Sequence, residues 1–252
     1  MTAPEGHDQS SQTLRRANFS GATFIRSDFQ DVTIRFSNAS GLRMRETDVA
    51  GLEIDSHDLF FGSLFVNGVD VVPLVKAELN RQFPGRELLD ATAPQDLMEG
   101  WRAVQDAWAR TVQDTPEDVR DVQVDGEWSL AQTLRHLVLA TDAWLRAGIQ
   151  REPDPFHEIG QLFTGAAEMG FDVSRMREPR DFEEILTVRA ERQQMVTDYL
   201  ASATQEQLDR PASNPWDPDG DWTPTEGDCI RVVLEEEWAH LRYIRRDLAT
   251  LS

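Results

Sequence analysis

Apolar residues recur every five positions in the N-terminal part of the chain. The register runs through Leu14, Phe19, Phe24, Phe29, Ile34, Met44, Val49 and Ile54, with Ala39 in phase. Two positions earlier the residue is often small, as at Ala17, Ala22 and Ser27. A period of five fits neither an α-helix, which has about 3.6 residues a turn, nor a flat strand. The pattern predicts a right-handed β-solenoid with five residues on each face of a square coil.

The predicted solenoid is short. Residues 12–56 would make a little over two coils, or about 10 Å of stack at the usual strand spacing of about 4.8 Å. That length matches about three base pairs at roughly 3.4 Å each, which is too short to imitate a useful length of DNA. Because so small a unit buries little apolar surface, we interpret it as a structural cap or docking element that packs on the rest of the chain.

A hairpin and a short helix are predicted next. Asn67-Gly68 lies between two apolar runs, which is a strong signal for a tight turn between strands. A short helix is then expected over 73–82, and Pro84-Gly85 should end it.

From residue 94 the apolar period changes to that of an α-helix. Four amphipathic segments of about 20 residues each are predicted to be helices, at 94–113, 129–150, 181–201 and 228–248. Ser129 is a good N-cap for the second of them. Four such helices favour a bundle, in which metal and ligand sites form between side chains of facing helices. The two long connections, 151–180 and 209–227, could roof a site at one end.

Composition and charge exclude several classes of function and of metal site. The net charge is −20, from 45 acidic and 25 basic residues, so nucleic-acid binding is disfavoured. No apolar run approaches the roughly 20 residues that span a bilayer, and residues 1–12 lack the apolar core of a targeting signal. We therefore expect a cytoplasmic protein. A monomer or homodimer that acts on a small-molecule substrate is also expected. Cys229 is the only cysteine, which excludes an internal disulfide and a cysteine-based zinc cluster.

Three side chains are candidates for a metal site. Glu236 and His240 are four residues apart on the fourth predicted helix, so they share a face, at the border of its apolar arc. His136 has the same placement on the second helix, among the small residues Thr133 and Ala140. If the two borders face each other, two imidazoles and one carboxylate meet. That set with open positions suits catalytic zinc, and in a facial arrangement it suits Fe(II).

The same spacing also has a simpler interpretation. A Glu and a His four residues apart often form a surface pair, and a lone His in an amphipathic helix is often a core or boundary residue. Cys229 lies on the same face as Glu236, about 10 Å away along the helix axis, and we interpret it as a small core residue.

The five-residue pattern resembles the pentapeptide-repeat family, whose units carry Ala, Asp or Asn, then Leu or Phe, then two free positions. Ala17-Asn18-Phe19 and Ser27-Asp28-Phe29 match it best.

The helical part resembles the DinB-like superfamily over roughly residues 64–250. Residues 124–129 with 133–138 look like its first metal-binding helix, and residues 234–240 look like its last. The resemblance implies a four-helix bundle with one metal ligand, His136, on the second helix and two on the final helix. Family members commonly have two histidines there; the thiol-dependent branch, typified by mycothiol-dependent maleylpyruvate isomerase, has Glu then His, as Glu236 and His240 stand here. That branch usually binds zinc, and other members bind nickel or other divalent ions.

The resemblance implies a metal-dependent transferase or isomerase that uses a low-molecular-weight thiol, such as mycothiol, on a small electrophile. Trp128 and Arg135 are the candidates for contact with the cofactor. His157, in the long connection, is the candidate catalytic general acid or base, and a loop histidine with satisfied hydrogen bonds is the simpler interpretation of it. Two alternatives stay open: a metal-dependent hydrolase of an amide or ester, and a non-enzymatic binding protein with a vestigial metal site. Further candidate walls of a substrate site are Phe163, Trp216 and Trp222.

The expected fold is therefore mainly α: a DinB-like four-helix bundle over 73–252, preceded by a pentapeptide-repeat β-solenoid over 13–72. Residues 1–12 are predicted to be a disordered tail.

Overall fold

The computed structural model describes residues 12–35, 37–56, 62–163, 166–167, 171–217 and 220–251. The chain divides into two compact units, Met1–Ile54 and Asp55–Ser252. Residues 1–11 of the predicted tail lie outside the described ranges.

The backbone of the first unit repeats with the five-residue period of its sequence. Its corner residues have positive φ, and they are separated by five residues, or by ten across position 36, which lies outside the described ranges: Arg16, Gly21, Arg26, Asp31, Gly41, Glu46 and Gly51. Every second corner is closed by a turn hydrogen bond, such as that from the Ala22 amide to the Phe19 carbonyl at 2.9 Å. A corner at each fifth residue is what a square coil requires. No strand is assigned among the described residues of this unit, so the β-solenoid stays a prediction.

The Asp or Asn in every second repeat accepts a hydrogen bond from the backbone with its side chain. The Asn18 carboxamide oxygen accepts a hydrogen bond from the Ser20 amide at 2.9 Å, and the Asp28 carboxylate accepts one from the Gln30 amide at 2.9 Å. Asn38 and Asp48 make the same contact two residues ahead. Short polar side chains that bond their own backbone in this way favour turns. The repeated residue type therefore follows from the turn that it stabilises.

The second unit begins with the predicted hairpin. Strand β1 (Phe65–Val66) pairs antiparallel with strand β2 (Val69–Asp70), and Asn67 and Gly68 both have positive φ in the turn. The compact units divide at residue 54, whereas the predicted division was at residue 72, so the hairpin belongs to the same unit as the helices.

Helices account for most of the second unit, and the four long ones lie where the sequence predicts them. The helices are α1 (Val72–Gln82), α2 (Pro94–Asp114), α3 (Leu130–Thr141), α4 (Phe182–Ser202), α5 (Gln205–Leu208) and α6 (Glu226–Thr250). Ser129 caps α3 as predicted, and its hydroxyl accepts a hydrogen bond from the Gln132 amide. None of the helices among the described residues is long and apolar enough to cross a membrane.

The bundle consists of α2, α3, α4 and α6. Helix α3 packs against α4 and α6, and α2 packs against the same two helices from the other side. Their apolar faces form one core, whose largest fully buried side chains include Trp101, Trp108, Leu134 and Leu234. The fold is thus mainly helical.

The helix that begins with α3 changes its winding in its second half. Residues Asp142–Ile149 continue it as a π-helix, which we call the π segment. Asp142 at its start is fully buried, and its carboxylate accepts hydrogen bonds from Arg192 Nε at 2.7 Å and from the His157 amide at 2.8 Å. The sequence predicted a single regular helix here. π segments are frequent at functional sites, and this one begins six residues after His136.

Candidate metal centre

The structure brings the three predicted ligands together. His136 lies on α3, and Glu236 and His240 lie one turn apart on α6, which packs against α3. One ligand atom from each of the three residues lies within 4.8 Å of the other two, and all three residues are half-buried. The structure also brings the two imidazole rings together, with centroids 4.7 Å apart.

The spacing of the donor atoms fits an ion between them. Glu236 Oε2 lies 3.3 Å from His136 Nε2 and 3.2 Å from His240 Nε2. A tetrahedral zinc with bonds of about 2.0–2.1 Å places its ligand atoms about 3.3 Å apart, so no large movement is needed to bind one. Two neutral imidazoles and one carboxylate form a donor set typical of zinc and of other divalent transition metals.

The Glu236 carboxyl is held in its ionised form. Burial alone would raise its pKa, but the hydrogen bonds and charges of His136 and His240 outweigh this effect and lower the pKa below its ordinary value. A ligand must be deprotonated to bind a metal. Glu236 therefore meets this requirement throughout the neutral range.

A backbone carbonyl orients the first histidine. His136 Nδ1 lies 3.4 Å from the carbonyl oxygen of Gln161, in the long connection after the π segment. Metal-binding histidines commonly donate their second ring N–H to such an acceptor, which fixes the tautomer and directs the other nitrogen to the metal. Gln161 could not be identified from its residue type, because its contribution is made by the main chain.

Trp128 covers the histidine pair. A turn at Asp125-Gly126, where both residues have positive φ, leads into the N-cap of α3. The centroid of the Trp128 ring lies 4.6 Å from that of the His136 ring and 5.8 Å from that of the His240 ring. Trp128 is stacked on His240 with an interplanar angle of 22°. Trp128 was predicted to contact a cofactor, and its ring lies beside the candidate ligands.

Tyr243 also borders the centre, although the sequence analysis did not select it. The centroid of its ring lies 5.5 Å from that of the His240 ring. Burial raises the pKa of its phenol, and the charges of Asp55 and Glu236 act in the same direction. Its position three residues after His240, on the same helix face, was a signal that could have identified it.

His157 lies between the π segment and α4, in residues 150–181, which we call the connecting segment. Its amide donates to Asp142, and its ring Nδ1 accepts a hydrogen bond from the Ile159 amide at 3.3 Å. Burial lowers its pKa, and the charge of Arg192 lowers it further. His157 is not part of the cluster of the three ligands, and its catalytic role stays a prediction.

Arg135 likewise has contacts within the connecting segment. Its Nε donates to the Ile159 carbonyl at 2.8 Å, and its terminal nitrogens contact Glu178 and the Arg177 carbonyl. The side chain is only 7% exposed. These bonds anchor Ile159, Arg177 and Glu178 to α3, and no described contact supports the predicted role of Arg135 in binding a thiol.

The other predicted walls form a separate aromatic cluster. Trp216 has ring contacts with Phe163 and with Trp144 of the π segment, and Trp222 also contacts Trp144. Two cavities of about 420 and 280 Å³ are lined by residues other than the three candidate ligands. Among the described residues, Trp128 and Tyr243 have ring contacts with the histidines of the centre.

Cys229 is a buried core residue, as the sequence predicted. It has no exposed surface, and burial raises the pKa of its thiol to about 12, with a further contribution from the Asp228 and Glu226 carboxylates. Only about one thiol in ten thousand is then ionised at pH 8, and the thiolate is the reactive form.

We accordingly expect iodoacetamide to leave Cys229 of the folded protein unmodified at pH 8 and to alkylate it fully in urea. Intact-mass spectrometry measures the added group. Alkylation of the folded protein at the rate of a free cysteine would contradict this placement.

Comparisons with known proteins agree with both parts of the chain. A family model described as the DinB superfamily matches residues 101–244, which is more than half of the chain and includes all three candidate ligands. A family model of pentapeptide repeats matches residues 13–49, in eight copies. Neither the curated proteins nor the solved structures include a match to this chain.

Proposed function

Since the chain belongs to the DinB superfamily, whose members bind metals and are often enzymes, we propose that it is a metal-dependent enzyme with its ion on His136, Glu236 and His240. The observation that carries the proposal is the convergence of two imidazole nitrogens and a carboxylate oxygen within 4.8 Å. Zinc is the proposed ion, because three such ligands with open positions are typical of catalytic zinc sites.

The proposed reaction joins a low-molecular-weight thiol to a small electrophile, or isomerises the electrophile through such an adduct. The bound ion would act as a Lewis acid and lower the pKa of a bound thiol or water to about 7 or below. The order of Glu236 and then His240 supports the thiol, because the sequence resembles the thiol-dependent branch at these positions.

The protein's own side chains have three tasks in this proposal. His136 and His240, oriented by the Gln161 carbonyl and by Trp128, present two imidazole nitrogens at one point. Glu236 adds one negative charge, which leaves a divalent ion with a net positive charge toward the substrate. The stacked Trp128 ring shields one side of this point, and an apolar surface beside a charge strengthens electrostatic interactions by excluding water.

The function is tested first by metal content and then by thiol dependence. Purified without an affinity tag, the protein should contain about one zinc per chain by inductively coupled plasma mass spectrometry. The zinc-loaded protein should then consume electrophiles such as maleimides or epoxides faster than the free thiol does alone.

Two results would redirect the proposal. Hydrolysis of amide or ester substrates without any thiol would favour the hydrolase. Failure to bind zinc, nickel or iron even after reconstitution would leave a non-enzymatic binding protein.

A further inference from the structure

Two arginines of α6 hold a single carboxylate beside the candidate metal centre. The NH1 group of Arg242 donates to Asp55 Oδ1 at 2.6 Å, and the NH1 group of Arg246 donates to Asp55 Oδ2 at 2.7 Å. Each carboxylate oxygen thus has its own guanidinium. The three side chains are between 24% and 35% exposed, so the contact is partly shielded from water.

The guanidinium groups are held in place by contacts other than Asp55. The Arg242 guanidinium lies over the Tyr243 ring, 4.5 Å from its centroid. Arg246 Nε donates to Asp247 at 2.7 Å, which directs the rest of the group toward Asp55. A pair of donors that is fixed in advance loses little conformational entropy when it binds an anion.

The arginine pair is close to the metal centre. The Arg242 and Arg246 guanidinium groups lie 4.5 and 5.6 Å from the centroid of the Tyr243 ring, and the centroid of the His240 ring lies 5.5 Å from it. The guanidinium groups and a candidate metal ligand therefore contact the same side chain.

We propose that Arg242 and Arg246 bind the carboxylate of a small molecule that reacts at the metal centre, and that Asp55 occupies this site in the absence of that molecule. The bound group is a carboxylate, because the internal occupant is one and each of its oxygens meets one guanidinium. The inference deepens the proposed function and rests on it for the reaction alone, since binding of the carboxylate needs no metal.

Asp55 should act as an internal competitor. While it occupies the arginines, an added carboxylate binds only to the fraction of molecules in which Asp55 has left, so the apparent affinity is the intrinsic affinity multiplied by that fraction. The carboxylates of Asp247 and Glu127 also interact with Arg246, and they weaken the site in all variants equally.

The test uses succinate and the metal-free full-length chain in isothermal titration calorimetry. Asp55→Asn should bind succinate at least about tenfold more tightly than the natural chain, because the internal competitor is removed. Adding Arg242→Gln to Asp55→Asn should abolish this gain, and Arg246→Gln serves as a second variant if the first does not fold. Succinamide, which has no charge, is the control ligand and should not bind.

The outcomes separate the two proposals. Equal succinate affinity in Asp55→Asn and the natural chain would overturn the arginine site, as would a preference for inorganic phosphate over succinate. Failure to bind zinc, nickel or iron even after reconstitution would overturn the proposed function and leave the succinate result unchanged. In zinc-loaded Asp55→Asn, tighter binding of mercaptosuccinate than of succinate would assign the carboxylate to the thiol, and equal binding would assign it to the electrophile.

Discussion

His240→Ala is expected to lose the metal while keeping the fold. His240 supplies one of three donors, and its ring is half-buried at the surface of α6, so its removal leaves the bundle core intact. Loss of even an outer partner of a metal ligand weakens affinity roughly 10–100-fold, so loss of a ligand itself should weaken it by more than about 100-fold. Competition with a zinc-binding dye measures the affinity, and plasma mass spectrometry measures the content.

His157→Ala is the matched control for this loss. It also removes an imidazole from the same unit, but His157 is not part of the three-residue cluster, and its ring contacts the backbone of its own loop. It should keep a full equivalent of zinc. If His240→Ala also kept a full equivalent, the assignment of the site would be wrong. If only His157→Ala lost it, the ligand set would have to include the loop.

Asp142→Ala is expected to cause the largest loss of stability. The carboxylate is fully buried and joins three parts of the chain: Arg192 on α4 at 2.7 Å, Arg146 on the π segment at 3.3 Å and the His157 amide at 2.8 Å. Removing it leaves the Arg192 guanidinium, whose side chain is 7% exposed, without its main counter-charge. Breaking a buried ion pair on one side costs about 3–5 kcal/mol. Urea unfolding followed by circular dichroism measures the difference in free energy of unfolding.

Asp154→Ala is the control for this substitution. Asp154 forms an ion pair with Arg175 at 2.7 Å, and both residues lie in the connecting segment. Both side chains are more than half exposed. Exposed ion pairs contribute little to stability because water solvates the separated charges well. We expect its unfolding midpoint to be close to that of the natural chain. Equal midpoints for Asp142→Ala and the natural chain would show that the buried pairing does not stabilise the bundle.

Much of the helical fold is determined by local sequence patterns. The 3.6-residue apolar period placed α2, α4 and α6 within a few residues of their observed ends, and it covered α3 and the π segment as one helix. Asn67-Gly68 located the hairpin turn. These features depend on side chains near one another in sequence, so a single chain contains the necessary information. The five-residue period was equally visible, and the backbone of the first unit repeats it.

The candidate metal ligands could be selected from the sequence only by assuming which helices meet. Spacing puts Glu236 and His240 on one face, but nothing local to His136 states that α3 packs beside them. The family resemblance implied that the helix of His136 lies beside the helix of Glu236 and His240. Tertiary packing brings the three side chains together.

The partners of the long polar side chains were decided by the tertiary structure alone. Arg135 follows the pattern of a ligand-binding residue beside His136, yet its guanidinium anchors the connecting segment. Asp55 and Arg242 are far apart in sequence, and the Gln161 carbonyl acts through the backbone. Apolar periodicity determines which face of a helix is buried, because burial is not directional. A hydrogen bond requires a specific partner at a specific distance and angle, and only the folded chain brings such partners together.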